Sequence, residues 1–231
     1  MADPITIVFP LFRGVAQLDF TGPHQILGMA PDTRLVLASM EGGELATDSG
    51  MRFAGLERLE AIELCDVLCV PGGLGATAAM EDEAFLDQLR RLAEGARYVT
   101  SVCTGSLLLG AAGLLQGRRA ACHWAWRELL SEFGATPDPA RVCRDGNVLT
   151  GGGVTAGIDF ALTLLAEIAG ETTAQSVQLM AEYAPAPPFD AGRPETAPAE
   201  IVARVREAAE KAAAARRGAV AAAAARLRQI A

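Results

Sequence analysis

Short, continuously apolar runs alternate with helix-like segments along the first two thirds of this chain. Four such runs have the composition of buried strands: ITIVFPLF (5–12), RLVLASM (34–40), DVLCVPGG (66–73) and RYVTSVC (97–103). The third and fourth are followed by the helix patterns EDEAFLDQLRRLAEGA and GSLLLGAAGLL. Strands that are apolar throughout are typical of a parallel sheet with helices on both faces. The pattern therefore predicts an α/β fold.

The rest of the sequence divides into a hairpin, further helices and two compositionally distinct segments. In RVCRDGNVLTGG, the pair Asp145-Gly146 predicts an antiparallel hairpin, and the helix patterns AGIDFALTLLAEIAG and ETTAQSVQLMAEY follow it. We predict an α/β domain over residues 1–183, a proline-rich strap over 184–198 and an Ala-rich helix over 199–231. The last segment is expected to lie on the surface or on a partner subunit; a flexible tail is the alternative.

Charge and cysteine usage limit the classes of function. The net charge of -8 gives no electrostatic footprint for nucleic acid or an anionic membrane. The apolar tract around Leu107 to Leu115 is far shorter than the roughly 20 residues that span a bilayer. Five cysteines without metal-ligand spacing, and no secretory pattern in MADPITIVFPLF, favour a cytoplasmic protein with reduced thiols and no bound metal. The expected partner is a small molecule or another protein.

The stretch SVCTGS places a thiol where a strand gives way to a helix. Ligands of open α/β sheets bind beyond the carboxyl ends of the strands, and Cys103 lies at such an end. A residue at this kind of turn, a nucleophile elbow, is held out over the crevice. Partial positive charge at the start of the next helix favours the thiolate. We therefore predict Cys103 to be a reactive nucleophile with a lowered pKa; the alternative is a buried, inert cysteine.

The other four cysteines are expected to belong to the core or to be incidental at the surface: Cys65, Cys69, Cys122 and Cys143. Cys122 directly precedes His123, which suggests a nucleophile and its base. Adjacent residues on a strand point to opposite faces, however, so this pair is not expected to work together.

Two polar residues in QLDFTGPHQIL are candidates for the same crevice. Asp19 follows the first predicted strand, and a carboxylate beside a thiolate in an apolar pocket can retain a proton and act as a general acid. Asp is equally favoured as a helix N-cap, and both interpretations stay open. His24 is expected to contact or orient the substrate, or to be an ordinary residue in the first turn of a helix that begins at Gly22-Pro23.

Glycine-rich turns follow two further strands. In VPGGLGA, Gly72 and Gly73 allow backbone N–H groups to approach a ligand closely, as an anion-stabilising site requires. TGGGVTAG (150–157) also leads from a strand into a helix. Neither turn matches the P-loop pattern, and no acidic residue stands where a dinucleotide ribose would need one. A phosphate-bearing cofactor is therefore poorly supported.

The motifs DFTGP, VPGG, SVCTGSLLLGAAGLL, LTGGGVTAGIDFAL and YAPAPPFDAG together resemble the DJ-1/PfpI superfamily. The likeness extends to about Tyr183, and the order of several separated motifs makes it specific. It implies a flavodoxin-like three-layer sandwich with a mostly parallel sheet, plus a C-terminal helical extension. Within the superfamily, the motifs are especially similar to the isocyanide hydratases, whose likeness continues through the proline-rich strap.

The resemblance implies a homodimer that uses no cofactor and hydrates a small-molecule isocyanide to an N-substituted formamide. Cys103 matches the family nucleophile and Asp19 the acidic position beside it. Gly72, Gly73 and the Thr104 backbone match the usual oxyanion-type site, and the Thr104 side chain is expected to hold water or substrate, or else to cap the helix. Protease-like members have histidine directly after the cysteine, so Thr104 argues against peptide hydrolysis. The last helix is expected to pair across the dimer.

Three other functions compete with this interpretation. The chain resembles the sensor half of AraC-type regulators, although residues 199–231 show no helix-turn-helix pattern. A redox sensor would oxidise Cys103 beside Asp19. A glyoxalase or deglycase would act on reactive carbonyl compounds. Turnover of an isocyanide would distinguish a hydratase from either kind of sensor. Consumption of methylglyoxal would indicate the glyoxalase or deglycase.

Overall fold

The computed structural model describes residues 4–230, which form ten strands and seven α-helices. The strands are β1 (Ile5–Pro10), β2 (Thr33–Ser39), β3 (Gly43–Ala46), β4 (Arg52–Arg58), β5 (Val67–Val70), β6 (Tyr98–Val102), β7 (Arg119–Ala120), β8 (Thr136–Pro137), β9 (Val142–Asp145) and β10 (Val148–Gly151). The helices are α1 (Gln17–Gly28), α2 (Ala76–Ala79), α3 (Glu83–Gly95), α4 (Gly105–Ala111), α5 (Ala156–Ala169), α6 (Glu171–Met180) and α7 (Ala199–Ile230).

Eight of the strands form one sheet in the order β3-β4-β2-β1-β5-β6-β10-β9. The six inner strands run parallel, and β3 and β9 add antiparallel edges. All four predicted strands are present, and the hairpin predicted at Asp145-Gly146 joins β9 to β10. Its second strand is also a member of the parallel sheet, since Val148 pairs with Val99 of β6. This arrangement confirms the predicted α/β fold with a mostly parallel sheet.

The β3–β4 hairpin was not among the predicted elements. Most of its side chains are exposed, and of the seven residues in β4 only Leu56 is buried. A hairpin at the edge of the sheet, with solvent on most of its surface, leaves little hydrophobic periodicity to detect.

Helices cover both faces of the sheet and complete three layers. On one face α1 packs against α5, with α6 beyond it; on the other, α3 and α4 pack against each other over β5. Local sequence determines where helix α3 begins. Asp82 caps its first turn, because the Asp82 side chain accepts a hydrogen bond from the Phe85 N–H at 3.1 Å. Its inner stripe is fully buried: Phe85, Leu86, Leu89 and Leu92.

Helix α7 is packed on its own domain over its second half. Residues 184–198, before it, form neither helix nor strand. Most residues of α7 before Ala213 are exposed, whereas small residues from Ala213 onward are buried where the helix packs against α2 and α4: Ala213, Ala219, Val220, Ala223 and Ala224. The expected helix is present, and its small side chains allow close packing on the domain without large apolar residues. Pairing of α7 across a dimer stays a prediction. No helix within residues 4–230 has the length and apolar character needed to cross a membrane.

Candidate active site

The site lies where the strand order of the sheet reverses. Strand β1 has β2 on one side and β5 on the other, so the connections after β1 and β5 diverge and leave a crevice at their carboxyl ends. Asp19 enters it from α1, Gly72 and Gly73 from the turn after β5, and Cys103 and Thr104 from the turn after β6. The sheet therefore brings five of the six predicted site residues to one place.

Cys103 occupies the predicted strand-to-helix turn, and its backbone is in the left-handed region with φ 59°. A non-glycine residue in this region is uncommon and is held there by its surroundings. Here the Cys103 N–H donates to Gly152 O at 2.8 Å and to Gly151 O at 3.1 Å, which ties the turn to the end of β10. The residue is only 5% exposed, so very little of its surface reaches solvent.

Gly105 allows the turn to lie close against β5. A Cβ at this position would lie 2.1 Å from Val70 O, a backbone atom that cannot move aside alone. We expect Gly105→Ala to lower the free energy of unfolding by more than about 3 kcal/mol, measured by urea denaturation. The matched control is Gly218→Ala in α7, where a Cβ would meet nothing within 4 Å; it should raise stability by roughly 0.5–1 kcal/mol. Equal stability of the Gly105→Ala protein and wild type would contradict the close approach.

Asp19 is fully buried in the first turn of α1. Its Oδ2 accepts a hydrogen bond from the Gly72 N–H at 3.0 Å. Its Oδ1 has no hydrogen-bond partner among the described residues. The N-cap of α1 is Ala16, with no side-chain cap, so Asp19 does not serve as the N-cap. The helix start predicted at Gly22-Pro23 was wrong: α1 begins earlier and Pro23 lies inside it.

Asp19 and Cys103 form a buried acidic pair. Burial raises the pKa of Asp19 from 3.8 to about 7, although hydrogen bonding to Cys103 and Gly72 opposes the increase. Burial and the Asp19 charge also raise the pKa of Cys103 well above its usual value, while the Thr104 N–H opposes this. Above about pH 7 the pair therefore retains one proton, on the Cys103 sulfur, and carries a single negative charge, on Asp19.

The lowered Cys103 pKa predicted from the elbow was wrong. The helix that follows, α4, is short, and its favourable end effect is outweighed by desolvation and by the neighbouring carboxylate. The Cys103 side chain is therefore a thiol beside Asp19 rather than a free thiolate stabilised by the helix.

Gly72, Gly73 and Thr104 hold the acidic pair in place. The Gly73 N–H donates to Thr104 Oγ1 at 2.9 Å, while the Gly72 N–H is engaged by Asp19. A Cβ on Gly72 would lie 2.5 Å from the Thr104 nitrogen and 2.9 Å from Asp19 Oδ2. Both glycine N–H groups thus have partners already. Their expected oxyanion-type role, like the water- or substrate-holding role of Thr104, stays a prediction.

His24 lies at the edge of this group. Its ring packs on Phe9 with centroids 5.8 Å apart, and burial lowers its pKa. Within residues 4–230 it makes no hydrogen bond to Cys103 or Asp19. A role in contacting substrate stays a prediction.

Cys122 and His123 lie in the loop after β7 rather than on a strand, so the strand argument used against the pair was wrong. Burial raises the pKa of Cys122 to about 12 and lowers that of His123. All five cysteines are free and buried. No group of three His, Cys, Asp or Glu residues suited to a metal ion occurs in the described part of the chain.

Sequence reasoning missed Arg216, which extends from α7 toward this site and is 3% exposed. Its Nε donates to Thr77 Oγ1 at 3.0 Å and its Nη2 to Gly73 O at 3.4 Å. An Ala-rich helix gives no local signal that one of its arginines is buried, or that this arginine donates to a residue 143 positions earlier in the sequence.

The sequence and the fold are both similar to those of known proteins. The DJ-1/PfpI family model matches residues 5–167. An isonitrile hydratase from Pseudomonas putida is 53% identical over 205 residues, which cover 89% of this chain and 90% of that protein. The crystal structure of a ThiJ/PfpI family protein from Pseudomonas syringae superposes with a TM-score of 0.88 at 39% identity, covering 97% of this chain and 91% of that one.

A regulator shows a more partial likeness. The HTH-type transcriptional regulator CdhR from Pseudomonas aeruginosa is 33% identical over 143 residues, which make up 60% of this chain but 42% of the regulator. The likeness therefore leaves more than half of the regulator's length unmatched.

Proposed function

The chain belongs to the DJ-1/PfpI family, and we propose that within it the chain is an isocyanide hydratase, a hydro-lyase that adds water to an isocyanide (isonitrile) to give an N-substituted formamide. The observation that carries the proposal is the buried Cys103 thiol beside an Asp19 carboxyl whose pKa is about 7. This pair supplies a soft nucleophile and a proton carrier at the same point. The 53% identity to an isonitrile hydratase over most of both chains supports the assignment.

In the first step, the terminal carbon of R–N≡C receives both the sulfur and a proton. Asp19 takes the proton from the Cys103 thiol as the S–C bond forms, and delivers it to the same carbon. One N–C π bond breaks, and the product is the thioimidate R–N=CH–S–Cys103. The unpartnered Oδ1 of Asp19 is the atom available for this transfer, because Oδ2 is held by Gly72.

In the second step, water adds to the thioimidate carbon. Asp19 takes a proton from the water as the water oxygen bonds to the carbon, and passes that proton to the nitrogen. The product is R–NH–CH(OH)–S–Cys103. Collapse of this adduct breaks the C–S bond, releases R–NH–CHO and returns the proton to the Cys103 and Asp19 pair. The overall change is the addition of one water molecule to one isocyanide, so the reaction consumes no oxidant or reductant.

The burial of Cys103 suits this substrate. An isocyanide is linear at its reactive end, so its terminal carbon needs little room to reach a residue that is only 5% exposed. A bulkier carbonyl or peptide substrate needs more room around the attacked carbon. The reaction also needs no histidine base, in agreement with the absence of a described hydrogen bond between a histidine and Cys103 within residues 4–230.

The experiment that tests the function is incubation of the protein with an aryl isocyanide, with the N-aryl formamide identified by mass spectrometry and its formation followed by absorbance. Methylglyoxal serves as the contrasting substrate. Formation of formamide, without comparable loss of methylglyoxal, supports the hydratase. Loss of methylglyoxal alone would favour the carbonyl-directed function instead.

The Asp19 and Cys103 pair sets the pH dependence. The reactive form carries one negative charge, and it forms as the pair loses its first proton near pH 7. We expect kcat/KM for the isocyanide to rise by about tenfold per pH unit below pH 6 and to level off above about pH 7.5. Initial rates between pH 5 and 9 measure this profile. A rate that instead falls through pH 7 would mean that the doubly protonated pair is the active form.

A ligand sensor is the second candidate, favoured by the 33% identity to a transcriptional regulator. Helix α7, after the strap, is a single continuous helix rather than a helix-turn-helix pair. Isocyanide binding without turnover would support the sensor.

We also propose that the protein is a cytoplasmic homodimer. Several large apolar side chains are exposed in the single chain, as expected for a surface covered by a second copy: Leu179, Met180, Phe189, Ile201 and Val205. Five free cysteines suit a reducing compartment. Light scattering in solution measures the dimer directly, and a mass of one chain would exclude it.

A further inference from the structure

Arg216 is a buried cation at the junction between α7 and the active site. Its side chain points inward from the second half of α7, and its guanidinium carbon lies 4.5 Å from the centroid of the Trp126 ring. Arginine is rarely this buried unless a carboxylate or another anion balances its charge. The partner of this charge therefore needs to be identified.

No carboxylate is within ion-pair distance of Arg216 among residues 4–230. Two other arginines of the same helix do have such partners: Arg217 pairs with Glu210 at 2.5 Å, and Arg226 with Glu83 at 2.6 Å. The hydrogen bonds of Arg216 go instead to neutral oxygens, Thr77 Oγ1 and Gly73 O. Neutral acceptors satisfy donors, but they do not neutralise the charge.

The acceptor Gly73 connects Arg216 to the nucleophile elbow. Gly73 O accepts from Arg216 and also from Thr104 Oγ1 at 3.3 Å, and the Gly73 N–H donates to the same hydroxyl. Thr104 directly follows Cys103, and its N–H contacts the thiol. The guanidinium is thus two hydrogen bonds away from Thr104, the neighbour of the residue that forms the S–C bond.

The electrostatic coupling has the matching sign. Burial lowers the pKa of Arg216, and negative charge on Cys103 or Cys122 opposes that decrease. In return, the Arg216 charge lowers the pKa of Cys122 and, after burial, that of His123. The charge near enough to stabilise the Arg216 cation is therefore negative charge on the Cys103 or Cys122 sulfur.

We propose that Arg216 is a positioning residue of the active site: its guanidinium stabilises the negative charge that forms on the Cys103 sulfur, and it holds Gly73 and Thr104 against the elbow. Helix α7 is then part of the catalytic apparatus rather than only a cover on the domain. The proposal rests on Cys103 being the nucleophile of the proposed function. It adds a residue from the opposite end of the sequence.

The test is the rate at which iodoacetamide alkylates Cys103, measured by peptide mass spectrometry at several pH values. Alkylation needs the thiolate, so removal of a balancing cation slows it. We expect Arg216→Met to react about tenfold more slowly at pH 8. This corresponds to a shift of about one pH unit, toward higher pH, in the pH dependence of the alkylation rate. Arg216→Lys retains the charge and should stay within about threefold of wild type. Arg226→Met, on the same helix, should match wild type within about twofold.

A purely structural role predicts the opposite sign. Loosened packing around a buried thiol admits the reagent and speeds alkylation, so an Arg216→Met protein that reacts as fast as wild type or faster overturns the proposal. Equal slowing in the Lys and Met variants overturns the charge argument as well. If circular dichroism shows that the Met variant is unfolded, Arg216→Gln, which can still donate to Thr77, carries the same expectation. Alkylation requires no isocyanide, so this result is independent of whether the hydratase function holds.

Discussion

Replacement of Cys103 by alanine should reduce isocyanide turnover by at least about 10³-fold while leaving the protein folded. Without the thiol no thioimidate can form, and the second step has no substrate. Formamide production, followed for wild type and Cys103→Ala at equal concentration, measures the loss. Alanine and cysteine are about equally strained at a positive φ, so the thermal unfolding temperature of the variant should stay close to that of wild type.

The matched control is Cys65→Ala, which removes another buried thiol distant from the crevice. The Cys65 sulfur donates to Leu92 O at 3.7 Å, and Cys65 precedes β5, at the opposite end of that strand from Gly72, so its loss should change turnover by less than about twofold. Comparable activity in Cys103→Ala and wild type would show that formamide forms by a route that uses no covalent intermediate at this residue.

Asp19→Asn should separate the reactivity of the thiol from catalysis. Asparagine can still accept the Gly72 N–H, but it carries no charge and cannot move a proton. We expect kcat to fall by about 10²- to 10⁴-fold, as for loss of a general acid and base. Alkylation of Cys103 should become faster, because the Asp19 charge that raises the thiol pKa is gone. Parallel measurement of turnover and alkylation tests both expectations on one protein.

The same variant should be more stable above neutral pH. The pKa of Asp19 is about 7 in the folded chain and near 3.8 when unfolded, so its contribution to stability is present below pH 4 and is lost as the pH rises through 7. Asp19→Asn removes this dependence. We expect it to exceed wild type by roughly 1–3 kcal/mol at pH 8 and to equal it at pH 4 in urea denaturation. Slower alkylation, undiminished turnover or unchanged stability would each remove Asp19 from the proposed role.

Much of the fold follows from local sequence. The continuous apolar runs of the inner strands and the periodic stripe of α3 are local patterns, and they predicted the parallel sheet and its covering helices. The position of the Cys103 thiol at a strand-to-helix turn was predictable for the same reason, since the strand, the turn and the first glycine of the helix are adjacent in sequence. The β3–β4 hairpin was missed because exposed edge strands carry no such pattern.

The properties of the site depended on contacts that no local pattern records. The elbow motif suggests a lowered pKa for Cys103, but the depth of burial and the distance to Asp19 decide the direction, and both come from the packed fold. Likewise, the N–H groups of Gly72 and Gly73 were expected to face a ligand, whereas Asp19 and Thr104 occupy them. Asp19 lies 84 residues before Cys103 in sequence, and its charge is the largest neighbouring influence on the pKa of the thiol after burial itself.

The 143 residues between Gly73 and Arg216 also determine when the site is completed during folding. Contacts this distant in sequence close a long loop, whose entropic cost delays them relative to the local pairing of β5 with β6. During synthesis, the sheet and its nucleophile elbow emerge well before the second half of α7. The thiol and carboxyl are therefore brought together first, and the buried cation arrives only when α7 docks, so that full reactivity marks the end of folding rather than its beginning.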